Sequence, residues 1–398
     1  MSFFYSIYYV ILLGYKYLAM NSKYIVKKIE KKIDHLSIIW GDNFKSKFHF
    51  LWLRDNCPTS IHPTANMRVF NILTVSKNIF PKEFKIQNRK LNINWSENKH
   101  YSQFELKWLR DHCYTEINNK KYITPYKFWD GDLKKNFNKI KLSHDKIIEE
   151  DKYLKKWLEL LHSYGFAIVK KSPTKQKSGF KILNRISHHR ETFFGTPFEV
   201  INIPKPNNTA YTAQALRNHT DLPYFEYAPG YQFLHCLINN ATGGKSSVVD
   251  GFAIANYLRK KEKEVFKILT TTYVKFKDTD YTQKAIRILH SPIITLTKDK
   301  DFNDIRFSMA AMGAIDVNPL KMKRFYDAYQ FFASLLQNNK FKIDFRLKAG
   351  DIFCFNNRRV LHGRTEFDPN SGNRHLQGYY VERDEIIARL NYFKNIRV

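Results

Sequence analysis

Long apolar runs are nearly missing from this 398-residue chain, and acidic residues are outnumbered by basic ones. The one apolar stretch, Phe3 to Leu18, is interrupted by Lys16. It falls short of the roughly 20 apolar residues a membrane-spanning helix needs, so no membrane partner is expected. Cysteine is also scarce. The four present (Cys57, Cys113, Cys236 and Cys354) show no framework spacing, which excludes a disulfide-stapled secreted scaffold and points to a reducing, cytoplasmic setting. Asp and Glu total 37 against 66 Lys and Arg, a formal net charge of +29. Such a surplus invites a nucleic-acid reading. The basic residues, however, are spread along the whole chain as Lys among Asn, Ile and Tyr, with no Arg-rich stripe. That pattern reads as solvated faces, with no nucleic-acid partner expected, although the field can gather anionic substrates. No internal repeat is visible, which sets solenoid arrays aside.

What is present describes a folded enzyme-sized chain. Hydrophobic residues make up 43% and aromatics 16%, which excludes disorder. The length suits two domains. Residues 23–115 read as a small β-rich module, with alternating runs at Lys47–Leu53 and Lys90–Trp95. Residues 116–150 are Lys- and Asn-rich and read as a linker. From 151 onward, a helix over Tyr153–Leu161 stops near Gly165, and the strand Phe166–Val169 follows. Further short strands, with helices near 256–270 and 320–338, predict an α+β, mostly β architecture: a jelly-roll barrel with flanking helices.

The pattern His219-Thr220-Asp221 with a distant His362 is a candidate metal set. Two imidazoles and a carboxylate can hold a non-haem Fe(II) and leave three adjacent positions open. On a strand, residues i and i+2 share a face, so His219 and Asp221 can reach one ion. His362 closes the apolar run that starts at Gly350, which reads as one buried strand. The competing triplet His189-Arg190-Glu191 follows Phe180–Ser187, where apolar spacing is helical. On a helix, i and i+2 diverge by about 200° and cannot share a metal. Arg374, twelve residues beyond His362 in an aromatic strand, can hold a dicarboxylate through a bidentate pair, and Ser246 can add a hydroxyl.

These motifs occur in order with Asn208–Tyr211, Gly230–Cys236, Thr242-Gly243-Gly244, Val249–Phe252, Leu361–Arg364 and Arg374–Leu376. Together with Leu51–Cys57 and His100–Phe104 they resemble the γ-butyrobetaine dioxygenase and trimethyllysine dioxygenase family over nearly the whole chain after residue 23. The resemblance implies a double-stranded β-helix and an Fe(II)- and 2-oxoglutarate-dependent hydroxylase that consumes O2, with ascorbate as reductant. It implies His219, Asp221 and His362 as iron ligands and Arg374 with Ser246 at the co-substrate. An aromatic cage for a trimethylammonium group maps to Phe194, Phe198, Tyr211, Leu222 and Tyr380, with Tyr224 nearby to stand in where Leu222 replaces a tyrosine. Asn208 and Tyr211 match groups for the substrate's carboxylate. A second such asparagine is absent from Phe307–Ala311. The family's structural zinc set is degenerate here: Cys57 and His100 match, Thr59 does not, and His62 stands at a third cysteine, so zinc is expected to be weak or lacking. A small-molecule substrate and a homodimer are the implied partners.

Residues 1–22 remain open between a signal-peptide h-region and an upstream extension before a start at Met20. The second reading is favoured, because a secreted protein meets little Fe(II) and these cysteines suggest no pairing.

Overall fold

The computed structural model describes residues 22–97, 100–115, 125–202 and 212–394, so the expectation about residues 1–22 lies almost wholly outside it. The chain forms two compact units, divided after Lys120.

The first unit holds two three-stranded antiparallel sheets: β1 (Val26–Lys31), β2 (His35–Trp40) and β3 (Lys45–His49), then β4 (Pro81–Gln87), β5 (Lys90–Trp95) and β6 (Tyr101–Glu105). Each sheet runs into a six-residue helix, Phe50–Asp55 or Leu106–Asp111. Residues Phe50–Leu53, expected to continue a strand, are therefore helical. The two halves are also copies. Phe48, Trp52-Leu53-Arg54-Asp55 and Cys57 recur at a constant offset as Phe104, Trp108-Leu109-Arg110-Asp111 and Cys113. In each half a buried tryptophan donates from Nε1 to a buried serine, Trp40 to Ser46 (2.7 Å) and Trp95 to Ser102 (2.8 Å). An internal repeat is thus present, against expectation. Its signal is a ten-residue core embedded in diverged surface.

The second unit is a double-stranded β-helix. Its large sheet runs β7 (Lys141–Ser143), β8 (Phe166–Lys170), β19 (Ile352–Asn356), β11 (Tyr231–Asn239), β22 (Arg374–Val381) and β9 (Phe198–Ile201). The small sheet runs β10 (Leu216–His219), β20 (Val360–Arg364), β13 (Ser246–Asp250) and β18 (Lys342–Phe345). Short pairs complete it: β12 (Thr242–Gly243) with β21 (Phe367–Asp368), β14 (Val274–Asp280) with β15 (Ala285–Ser291), and β16 (Ile294–Leu296) with β17 (Phe302–Ile305).

Side-chain alternation explains the layers. Phe166, Phe353, Phe355 and Leu376 of the large sheet meet Val248, Ile343 and Val360 of the small one between the sheets. The opposite face of the large sheet, Val169, Phe233, Cys354 and Tyr379, packs on Leu154, Trp157 and Leu161 of the helix Asp151–Ser163. Val249 and Leu361 turn outward against the helices Gly251–Lys261 and Pro319–Leu335.

Three expectations change here. The supposed linker is structured from residue 131: 3-10 turns over Gly131–Ile140, then β7 parallel to β8, then the helix His144–Glu149. Its Lys and Asn residues report only the wet face, while Trp129, Ile140, Leu142 and Ile147 are buried. The run from Gly350 to His362 is two strands, because Asn357-Arg358-Arg359 turns β19 into β20. The helix after residue 178 ends at Leu183, so His189-Arg190-Glu191 is extended, and Arg190 bridges to Tyr380.

At the turn, Arg359 and Asp250 form an ion pair with no exposed side-chain surface (Nε–Oδ1 2.9 Å, Nη2–Oδ2 2.7 Å). On the large sheet's helix-covered face, His235 is wholly buried near His144, with no well-formed hydrogen bond at either ring nitrogen and only the Pro173 backbone to favour its charged form. Burial, then His144, lowers its pKa from 6.5 to about 4. The unfolded chain therefore binds a proton that the native state refuses. This stability is complete above pH 6.5 and is lost as pH falls toward 4, on the order of 3 kcal/mol in total. Urea midpoints for the native chain are expected to drop between pH 7 and pH 5, and His235→Leu should flatten that drop. An equally steep acid limb in His235→Leu would refute the assignment.

Candidate active site

Three groups offering metal-ligand atoms converge at one end of the barrel. β10 pairs with β20 so that His219 lies opposite His362, with ring centroids 4.4 Å apart. Asp221 Oδ1 is 3.2 Å from His219 Nε2 and 3.7 Å from His362 Nε2. One ligand atom from each lies within 4.8 Å of the others, the only such group of three among the described residues. His189 and Glu191 take no part.

The i, i+2 argument from the sequence holds only in part. β10 ends at His219, and Asp221 sits in a turn, followed by Leu222 at φ +53°. Asn357, wholly buried in the β19–β20 turn, holds that turn in shape. Its side-chain oxygen accepts from Asp221 N (2.7 Å), and its Nδ2 donates to the carbonyls of Asp221 (3.0 Å) and Pro229 (3.2 Å). Arg306 clamps the next residues through the carbonyls of Pro223, Phe225 and Glu226. Tyr380, expected only as part of a cage, donates its hydroxyl to Asp221 Oδ2 (2.8 Å). None of Asn357, Arg306 and Tyr380's hydroxyl role carries a local sequence signal, because each partner is remote in the chain.

The ionisation states of Asp221 and His362 suit a cation, while at His219 burial is outweighed by the Asp221 carboxylate, which raises it above its ordinary value. A carbonyl only accepts, so His219 Nδ1, 2.8 Å from Arg217 O, carries the hydrogen and Nε2 faces Asp221. Burial, followed by His219, drives His362 down to about 3, leaving it neutral. Burial pushes Asp221 up, but His362, His219 and the Tyr380 hydroxyl outweigh it and hold its carboxyl well below the usual range. An ionised carboxylate and imidazole nitrogens in this arrangement fit a divalent iron with open positions.

Phe194, Phe198, Leu222, Tyr224 and Tyr380 line one cavity of about 170 Å³ together with His219 and Asp221. Phe198 stacks on Tyr380 at 5.0 Å and lies 6.2 Å from Phe194. Gly378 makes this possible, since a β-carbon there would sit 2.0 Å from Phe198 Cζ. Lys277, Asp278 and Ser308 also line the cavity and were not read from the sequence. Asn208 and Tyr211 lie outside the described residues.

Arg374 opens β22 in the large sheet, and Ser246 lies in the small sheet opposite Arg364. Arg374 is packed against Gly244, where a β-carbon would lie 3.4 Å from its Nε. Burial first, and Arg346 with it, lower Arg374 to about 10.

In the first unit Cys57 and His100 do meet (Sγ–Nε2 3.3 Å), with Thr59 at 3.1 Å from the sulfur. His62 does not join them. It is exposed, and its Nδ1 faces the backbone N–H groups of Thr64 and Ala65 in its own turn. The three-residue set drawn from the sequence is thus corrected to a Cys57–His100 contact.

Residues 129–380 match the family described as "Taurine catabolism dioxygenase TauD, TfdA family". The chain belongs to the TauD dioxygenase family. Residues 27–110 of this TauD member match a second family, "Gamma-butyrobetaine hydroxylase-like, N-terminal". Curated relatives span both units. The chain is 35% identical to Gamma-butyrobetaine dioxygenase of Pseudomonas sp. (strain AK-1), covering 89% of this chain and 92% of that one. It is 30% identical to Gamma-butyrobetaine dioxygenase of Homo sapiens, covering 90% and 94%. It is 27% identical to Trimethyllysine dioxygenase of Meyerozyma guilliermondii, covering 90% and 93%.

Since Asn357 shapes the Asp221 turn, Asn357→Leu is expected to weaken Fe(II) binding about tenfold or more, measured by anaerobic titration, while the protein stays folded. Unchanged metal affinity would refute this role.

Proposed function

We propose that this chain is an Fe(II)- and 2-oxoglutarate-dependent dioxygenase that hydroxylates a small trimethylammonium acid of the γ-butyrobetaine or trimethyllysine type, the chemistry of carnitine biosynthesis. The observation that carries the reading is the convergence of His219, Asp221 and His362, with His219 and Asp221 in the wall of a cavity that aromatic side chains also line. The relatives' activities agree with it.

His219, Asp221 and His362 would hold iron, and Arg374, with Ser246, would hold the far carboxylate of 2-oxoglutarate. Iron with 2-oxoglutarate and O2 supplies the oxidation, yielding succinate, CO2 and a hydroxylated C–H carbon. The protein's own work is placement. Phe194, Phe198, Tyr224 and Tyr380 surround a quaternary ammonium by cation–π attraction, about 0.5–2 kcal/mol for each good contact. Tyr380 does this while its hydroxyl steadies Asp221. The aromatic rings and Leu222 keep water from their side of the cavity, while its polar residues line the rest.

A second reading keeps the chemistry and changes the acid to a phosphonate or sulfonate. It is favoured by Lys277, a cation in the cavity wall that suits any of these anions, and by Leu222, which offers no hydrogen bond. A catalytically silent nucleic-acid binder has no comparable support, since it does not need the assembled ligand set. All four cysteines are unpaired, and among the described residues no helix is long and apolar enough to cross a membrane. We assign the protein to the cytoplasm and, as in the resemblance, to a homodimer. Zinc is not part of the proposal.

Succinate release with Fe(II), 2-oxoglutarate and ascorbate is expected on at least one trimethylammonium acid from a panel of carboxylates, phosphonates and sulfonates, and His219→Ala should abolish it. No turnover on any of them, with tight and salt-sensitive nucleic-acid binding, would sink the reading. Arg374→Ala should raise the apparent KM for 2-oxoglutarate about tenfold or more, and that for the prime substrate far less. Equal effects on both would remove Arg374 from its role.

A further inference from the structure

Five buried or half-buried arginines of the second unit, Arg306, Arg358, Arg359, Arg364 and Arg374, divide into two kinds. Arg306, Arg358 and Arg359 each have a carboxylate within 4.0 Å, from Asp304 or Asp250. Arg364 and Arg374 have no carboxylate partner among the described residues, and the Nε of each is buried without any hydrogen-bond partner. Arg364 is only 6% exposed. Its Nη2 donates to the carbonyls of Thr212 (2.7 Å) and Gln214 (2.8 Å), which orient the group without neutralising it. A buried charge with no counter-charge is costly, so the native structure keeps one only where an anion completes it.

The position of Arg364 says which anion. It lies two residues after His362 on β20 and so on the same face, about 7 Å along the strand from that ligand. In the sheet register it stands directly opposite Ser246, two pairs beyond the pairing of His362 with Val248. The guanidiniums of Arg364 and Arg374 both lie against one ring, that of Phe367, at 4.9 and 5.7 Å from its centroid. The two unpaired cations therefore share a neighbourhood, at a distance from the metal ligands that a five-carbon diacid spans.

We infer that Arg364 is a second guanidinium of the 2-oxoglutarate subsite, engaging the distal carboxylate together with Arg374 and Ser246. This rests on the proposed 2-oxoglutarate dependence and adds to it a residue that acts on the dicarboxylate end of the co-substrate alone. The carbonyls of Thr212 and Gln214 hold the guanidinium in place, so it pre-exists as an anion site and is not recruited on binding.

Calorimetric titration of the full chain loaded with Mn(II), with 2-oxoglutarate and with 2-oxobutyrate, tests this. The second ligand presents the same keto-acid end but lacks the distal carboxylate. Arg364→Met is expected to weaken 2-oxoglutarate by about 10–100-fold and to leave 2-oxobutyrate unchanged. Arg364→Lys, which keeps the charge, should retain most of the preference for the diacid. Equal weakening of both ligands, or no weakening of 2-oxoglutarate, overturns the inference while leaving the proposed function standing. Should Arg364→Met fail to fold, a folded Arg364→Gln that keeps the full preference for 2-oxoglutarate over 2-oxobutyrate overturns it. An unaltered protein that binds no 2-oxoglutarate overturns both.

Discussion

The buried ion pair between Arg359 and Asp250 is the constraint on which the second unit's geometry turns. Asp250 caps the helix Gly251–Lys261 by accepting from Phe252 N, and also accepts from Trp129 N. Arg359 spends its remaining donors on the carbonyls of Ser163 and Lys127. One contact therefore joins the β19–β20 turn, a helix start, the end of another helix and the chain entering the unit. Removing either partner would strand a charge with no water, a loss of about 3–5 kcal/mol.

The neighbours of Arg359 extend the same logic residue by residue. Asn356 N donates to Gly165 O, Asn357 grips the Asp221 turn, and Arg358 pairs with Asp304 in the β17 strand. Four consecutive polar residues each reach a different element. Three residues later comes His362. The proposed iron ligand is thus registered against its partners by a turn whose every side chain is already committed, which is how a site on loops and strand ends acquires the rigidity that placement of a C–H bond demands.

Legibility in the sequence followed the range of the interactions. The strand at Lys90–Trp95, the helix near Tyr153 and the outward helices have local periodicity and were readable. The β19–β20 connection between the two sheets was not: Ile352–Phe355 and Val360-Leu361 are apolar because both faces are covered, so nothing in Ile352–Leu361 marks the change of sheet except the polar residues of the turn. Residues 131–149 carry the composition of a linker because exposed Lys and Asn dominate it, although Ile140, Leu142 and Ile147 are buried. The triplet His189-Arg190-Glu191 was set aside for a wrong reason, since that stretch is extended. It fails because, among the described residues, no third ligand lies with it.

Residue types and order along the chain were enough to specify the reaction class: H-x-D with a distant histidine and a following arginine is a chemical pattern, and chemistry depends on which groups are available. Which groups meet was decided only by the tertiary structure. His219 reaches His362 through strand pairing, Tyr380 bonds Asp221 from another sheet, and Phe198 lies over Gly378 because β9 and β22 pair there. Arg364 and Arg374 become comparable only once both are buried beside Phe367 without an acid. Burial and long-range pairing set those energies, and neither is a property of neighbours in the chain.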